Sequence, residues 1–312
     1  MPDIKIIPAD NNLIKRTQAL QQQVGNTPLF KITRLFTKNN VSIYAKQEWM
    51  QLGGSVKTRP AYNIIRCAIE SGDYNSNKIL LDATSGNTGI AYATIAGKLG
   101  LRVALCLPEN ASLERKNILQ ALNAEIIYTS KFEGTDGAQE VARSLAEKYP
   151  QKYFYASQYT NVNNWKAHYF TTAMEIYKEM PGITHFVAGL GTTGTFVGTG
   201  KRLKSLNPDI KLISLQPDFP MHGLEGWKHL ETAIVPAIYD PGVADEMIQV
   251  GTEESYDIIK RMAETEGLLL SPSSAANLAG AIRVANKIDK GIIVTILPDN
   301  ADKYKDVIKQ LF

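Results

Sequence analysis

Cysteine is scarce in this 312-residue chain: Cys67 and Cys106 are the only two, each inside an apolar periodic segment. Two such residues cannot supply the disulfide framework of a small secreted domain, and they read as buried free thiols in a reducing compartment. No apolar run approaches the roughly 18 residues that a membrane-spanning helix needs, so no membrane partner is expected. The opening stretch MPDIKIIPADNNLIKR lacks the continuous apolar region of a signal peptide. The expected location is therefore cytoplasmic. Net charge is small as well, 34 Lys and Arg against 31 Asp and Glu. The basic residues are scattered rather than striped, so no nucleic-acid partner is expected. The four histidines, His168, His185, His222 and His229, form no ligand spacing with cysteines or carboxylates, and no metal is expected. The Gly-x-Ser-x-Gly elbow of serine hydrolases is also absent.

What is present describes a folded chain, 44% apolar and 21% charged, long enough for two domains of about 150 residues. From about residue 60 onward, helical periods alternate with short β-branched runs, the signature of parallel sheets with crossover helices. Pro60 suits a first helical turn, Ile64, Ile65, Ala68 and Ile69 form one face, and Gly72 ends the helix. Strands are expected at 79–83, 102–107, 125–129, 153–157, 185–190, 211–216 and 292–297. Helices are expected after Gly89 as far as Gly100, then at 112–122, 137–148, 166–180, 197–205, 254–266 and 275–288, with an amphipathic helix at the end. Residues 217–250 interrupt this alternation, and an irregular segment of that length inside a domain is usually functional.

Three glycine-rich turns stand out. Gly189-Leu190-Gly191-Thr192-Thr193-Gly194 matches Gly-x-Gly-x-x-Gly between a strand and a helix. A dinucleotide site also wants an acid at the end of the next strand, where KLISLQP offers Gln216 and Pro217. A bound phosphate is the broader inference, with glycines admitting backbone N–H groups and Thr192, Thr193 and Thr195 adding hydroxyls. A plain strand-to-helix turn would look similar. The second turn, Gly53-Gly54-Ser55-Val56-Lys57-Thr58-Arg59, lacks the glycines of a Walker loop. It holds Lys57 ahead of the helix at Pro60, where a lysine is otherwise an ordinary solvated one. The third, Thr84-Ser85-Gly86-Asn87-Thr88-Gly89, gathers hydroxyl, amide and backbone donors at a helix start and suits a carboxylate.

In that order, the three turns resemble the cysteine synthase branch of the pyridoxal-phosphate enzymes with the tryptophan-synthase-β fold. The likeness runs from Val24-Gly25-Asn26-Thr27-Pro28-Leu29 through 46–59, 83–89 and Leu107-Pro108-Glu109-Asn110 to 183–200, 234–241 and 266–281. Gly223-Leu224-Glu225-Gly226-Trp227-Lys228 and Ile238-Tyr239-Asp240-Pro241 look closer to cysteine synthase B than to the A form. The resemblance implies two open twisted α/β domains of fold type II: a smaller mobile one at 41–150 and a larger one of 1–40 plus 151–312.

It also implies that Lys57 forms the internal Schiff base with pyridoxal 5'-phosphate and later takes and returns the substrate α-proton. Asn87 would meet the ring hydroxyl. Thr84, Ser85, Gly86, Asn87, Thr88 and Gln158 would hold the amino acid's carboxylate. Gly191, Thr192, Thr193, Gly194 and Thr195 would cradle the phosphate, and Ser273 would face the pyridine nitrogen. The implied reaction is β-replacement through an aminoacrylate, giving L-cysteine from O-acetyl-L-serine and sulfide. O-Phosphoserine as donor, or the acceptor of a cystathionine β-synthase-like or cysteine lyase-like enzyme, is the alternative. A nicotinamide-dependent oxidoreductase and a catalytically silent binding protein are rivals of other classes.

Thr58, Val162 and Ser271-Pro272-Ser273-Ser274-Ala275 depart from the family pattern, with the side-chain chemistry of the cofactor site retained. Lys228 lies where some relatives carry a base that favours a phosphorylated serine, and a surface or lid role fits it equally. Relatives of this kind are homodimers, which the apolar faces of the terminal segments permit.

Overall fold

The structure, a computed structural model, describes residues 11–84 and 86–312. The expectations placed on Ser85 lie outside the described residues. In chain order the elements are α1 (Asn11–Leu20), β1 (Leu29–Lys31), β2 (Val41–Gln47), α2 (Thr58–Ser71), β3 (Ile79–Ala83), α3 (Asn87–Leu99) and β4 (Arg102–Pro108). Then come α4 (Leu113–Ala121), β5 (Glu125–Thr129), α5 (Gly134–Lys148), β6 (Tyr153–Tyr155), α6 (Asn163–Phe170), α7 (Thr172–Glu179) and β7 (His185–Gly189). The remainder is α8 (Gly194–Leu206), β8 (Lys211–Pro217), β9 (Glu246–Val250), α9 (Thr252–Glu266), α10 (Pro272–Lys287), β10 (Gly291–Leu297) and α11 (Lys305–Leu311).

Among the described residues, one sheet has the order β1-β2-β10-β7-β8-β9 and the other β5-β4-β3-β6. Every pairing is parallel except β1 with β2. The fold is therefore α/β with two sheets, as the alternation of periods implies. The sequence GIIVTIL of β10, almost wholly buried, is what a strand covered by helices on both faces requires. Val41–Gln47, placed in the smaller unit from the sequence, pairs with β10 in the six-stranded sheet. Tyr153–Tyr155, placed in the larger unit, closes the four-stranded sheet beside β3.

Local chemistry sets most boundaries. In α2, Ala61, Ile64, Ile65, Ala68 and Ile69 are buried on one side, and Gly72 at φ 82° closes the helix with its N–H on the Ile69 carbonyl. Pro60 sits in the first turn, where no intrahelical N–H is needed. Ser112 caps α4 by accepting from the Arg115 N–H.

Other expectations differ, among them the burial of Cys67. The single helix at 166–180 is two helices meeting at Thr171, whose hydroxyl accepts from Arg59 and donates to the Ala167 carbonyl. Within 217–250 lies the edge strand β9, in which only Ile248 and Val250 are buried, too weak a pattern to stand out of a polar stretch. Cys106 is buried, Cys67 is part-exposed, and both are free.

Candidate active site

The carboxyl ends of β3, β7 and β10 open onto one cleft, where an α/β sheet places its ligand. The cleft has a volume of about 150 Å3 and brings together Lys57, Thr84, Gly86, Asn87, Thr88, Gln158, Gly191, Thr192, Thr193, Thr195, Lys228 and Ser273. Gly194 opens α8 immediately behind this wall. Both α3 and α8 start at the cleft, so the N-terminal ends of two helix dipoles point into it, an arrangement that favours anions.

The turn after β3 is tied down from within. Thr84 Oγ1 accepts from the N–H groups of Gly86 and Gly89 at 3.2 and 3.3 Å. Thr88 Oγ1 donates to Gln158 Oε1 at 2.7 Å, and Gln158 Nε2 donates to the Ala83 carbonyl at 2.8 Å. Beneath them the Asp82 carboxylate accepts from the backbone of Ala83 and Gln158. Burial pushes its carboxyl up to about 7.

The glycines of the 189–194 turn also meet a packing demand that their spacing does not suggest. A Cβ on Gly189 would meet the Trp227 ring at 2.1 Å, one on Gly191 the Gly226 carbonyl at 2.0 Å, and one on Gly194 the Asn164 Oδ1 at 2.0 Å. They admit Gly226 and Trp227 of the cleft wall and buried Asn164 of α6, which donates to the Gln158 carbonyl and to Thr192. The anion-binding capacity rests with the start of α8 and the threonine hydroxyls. Thr193 takes the left-handed conformation at φ 70°, and its Oγ1 is buried without a hydrogen-bond partner. Behind the loop, buried His168 bridges Thr172 and Thr195 through its two ring nitrogens. Burial, together with the charges of Arg59 and Lys57, holds it well below the ordinary histidine value.

Lys57 is the residue from which α2 starts. Burial lowers its ammonium below the ordinary lysine value, while Asp299 and Glu48 act in the opposite sense. Two residues on, fully buried Arg59 donates to both oxygens of Glu48 at 2.6 and 2.8 Å and to both of Glu175 at 2.6 and 2.8 Å. Lys46 adds an ion pair to Glu175 at 3.0 Å. This network anchors the turn that presents the amine. Thr58, a departure from the family pattern, is buried and donates to the Leu52 carbonyl.

Ser273 comes from the start of α10, where Ser271 caps the helix and Pro272 sets its first turn. Lys228 Nζ lies 2.6 Å from Asp136 Oδ1 and over the Tyr159 ring. The sequence reading missed Arg115, Tyr159, Glu225, Trp227, Asn277 and Tyr304, all on the cleft wall. Arg115 pairs with Glu225 and lies 5.0 Å from the Tyr304 ring centre. Asn277 accepts from the Gly189 N–H and donates to the Ile296 carbonyl. Glu225, Trp227 and Asn277 fell inside stretches that the sequence singled out, without being picked as site residues.

The residues fit pyridoxal phosphate. An amine, a helix-start anion site and a ring-sized space share one cleft, and Asn87 Oδ1 and Thr193 Oγ1 are buried there with no protein partner. An unsatisfied acceptor and an unsatisfied hydroxyl are costly unless a ligand meets them. Lys57, Asn87, Ser273 and the 191–195 loop would hold the group.

Comparisons with known proteins agree. The chain is 44% identical to a cysteine synthase of Aquifex aeolicus, covering 93% of this chain and 91% of that one. It is 37% identical to a cysteine synthase B of Pseudomonas aeruginosa, covering 90% and 93%. The crystal structure of an O-acetylserine dependent cystathionine beta-synthase from Helicobacter pylori superposes with a TM-score of 0.84 at 34% identity, covering 92% and 96%. Residues 20–299 match the family described as pyridoxal-phosphate dependent enzyme. With the amine, the anion loop and the orphaned polar atoms in one cleft, the chain belongs to that pyridoxal-phosphate-dependent family.

Proposed function

We propose that the protein forms L-cysteine from O-acetyl-L-serine and sulfide, releasing acetate. The observation that carries this reading is the Lys57 amine in a cleft between the starts of α3 and α8. One helix start suits a substrate carboxylate and the other a cofactor phosphate. When bound, pyridoxal phosphate supplies the electron-withdrawing ring that acidifies the substrate Cα–H.

Lys57 Nζ anchors the cofactor and, once released, accepts the α-proton and returns it to the product. Burial lowers its basicity, the direction in which an amine that both takes and returns a proton is tuned. Thr84, Gly86, Asn87 and Thr88 grip the substrate carboxylate, with Gln158 held against Thr88. Ser273 would offer the ring a neutral hydroxyl rather than a carboxylate, which suits a reaction that loses its Cβ leaving group early.

Donor and acceptor follow from charge. The two cations on the cleft wall that could attract a further anion are committed, Arg115 to Glu225 and Lys228 to Asp136. A neutral ester such as O-acetylserine needs no free cation, whereas a phosphorylated donor does. An acceptor with its own carboxylate meets the same shortage, which favours sulfide.

We extend this to a cytoplasmic homodimer. Free thiols at Cys67 and Cys106 suit a reducing compartment, no helix among the described residues is long and apolar enough to cross a membrane, and exposed Phe170 and Met174 leave an apolar patch for a second copy.

The test is the visible spectrum with product analysis. A band from bound cofactor that is lost in Lys57→Ala, with cysteine formed from O-acetylserine and sulfide, is the expected result. A colourless wild type that binds a nicotinamide dinucleotide would overturn the reading, and preferential use of another acceptor would redirect it. Light scattering reads the mass of the assembly.

A further inference from the structure

Asp299 lies outside the cleft lining, yet it touches three of the segments that build the cleft. It follows β10 and is fully buried. The Pro298 carbonyl accepts from the Val56 N–H at 2.8 Å, which ties the Asp299 turn to the residue before Lys57. The Asp299 carbonyl accepts from Ser274 Oγ at 2.6 Å, beside Ser273. Its side-chain Oδ2 accepts from Asn87 Nδ2 and from the Tyr304 hydroxyl, both at 2.8 Å. The other oxygen, Oδ1, is buried with no hydrogen-bond partner.

A buried carboxylate with an unsatisfied oxygen persists where positive charge faces it. Lys303 Nζ is 3.9 Å from Oδ2, and Asp299 favours the charged forms of Lys57, Lys303 and Arg115. Around Lys57 the titratable and charged groups are Asp299, Glu48 at the end of β2, Arg59 on α2 itself, and His168 on α6. Glu48 is already committed: its oxygens accept from Arg59, Thr27 and Gln51. Asp299 is the anion with capacity to spare.

We propose that Asp299 is a positioning residue for Lys57 and Asn87. By taking the Asn87 Nδ2–H it leaves Asn87 Oδ1 for the cofactor, and its charge steadies a protonated nitrogen at Lys57. The inference rests on the reading of the cleft above. In that reaction the α-proton moves from Cα to Lys57 Nζ, Asp299 offsets the buried ammonium so formed, and the same proton returns to Cα of the product.

The test titrates the visible band of the cofactor-loaded enzyme with pH in wild type, Asp299→Asn, Asp299→Glu and Tyr304→Phe. Asp299→Asn is expected to move the midpoint down by about one pH unit and to slow donor consumption at least about tenfold. Asp299→Glu restores the midpoint, and Tyr304→Phe, which keeps the charge, leaves it in place. Asp299→Ser removes the charge without an amide to mispair and gives the same expectation should the Asn variant not fold. A midpoint unchanged in the folded, cofactor-loaded Asn or Ser variant overturns the proposal alone. A wild type without a band overturns the reading of the cleft, and this inference with it.

Discussion

Lys228 Nζ and Asp136 Oδ1 meet at 2.6 Å, joining the long irregular segment 217–250 to α5 on the opposite wall of the cleft. The second oxygen of Asp136 accepts from the Ile234 N–H at 2.9 Å, so one carboxylate fastens that segment twice. The Lys228 side chain is 10% exposed and that of Asp136 30%, and the pair occupies the cation that a phosphorylated substrate would need.

Donor choice follows from that occupancy. Asp136→Asn should release Lys228 and raise kcat/KM for O-phosphoserine relative to O-acetylserine by about tenfold, equivalent to about 1.4 kcal/mol. Sulfide-dependent cysteine formation with each donor measures the ratio. An unchanged ratio would mean that Lys228 lies beyond the reach of the leaving group.

Close approach makes a second prediction. Gly191→Ala would put a methyl 2.0 Å from the backbone oxygen of Gly226, and backbone cannot swing aside. The variant should lose roughly 1–3 kcal/mol of stability and retain cofactor poorly on dialysis. Gly97→Ala is the contrast: the position is exposed within α3 and nothing lies within 4 Å of the added carbon. It should gain about 0.5–1 kcal/mol in thermal or urea denaturation.

Stability should depend on pH through Asp82. Its folded value, about 7, lies above the ordinary 3.8, so the folded state holds a proton that the unfolded state has released. The stability it contributes is present below pH 3.8 and is lost as pH rises to about 7, at about 1.4 kcal/mol per pH unit. Asp82→Asn should flatten that part of the profile when denaturation midpoints are recorded against pH.

Glu175 acts in the opposite sense. Burial would raise it, but hydrogen bonds and charge from Arg59, with the charge of Lys46, hold it at about 2. Its contribution is present above the ordinary 4.5 and disappears as pH falls toward 2. Arg59→Met strands Glu48 and Glu175 as carboxylates without their guanidinium, and should cost roughly 3–5 kcal/mol in urea denaturation. A loss below about 1 kcal/mol would mean that water replaces the guanidinium.

Much of the cleft could be read from the chain because it is made of local pieces. Lys57, the turn after β3 and the threonines before α8 each lie at a strand or helix end marked by glycine and hydroxyl residues within a few positions. The purpose of the glycines in the 189–194 turn could not be read that way. Their partners, Trp227, Gly226 and Asn164, come from other elements, and a spacing rule has no access to them.

By itself the sequence determined the alternation of parallel strands and crossover helices, the glycine-rich turns ahead of helices and the lysine held at one of them, since each follows from backbone preference and periodicity within a single segment. Tertiary structure alone decided which charges are spent and which remain. Asn87 and Asp299 are 212 positions apart, and Arg115 finds Glu225, and Lys228 finds Asp136, only once the two sheets have closed on each other. Burial then turns those meetings into chemistry, because a carboxylate or an ammonium removed from water must be answered by whatever group the fold sets beside it.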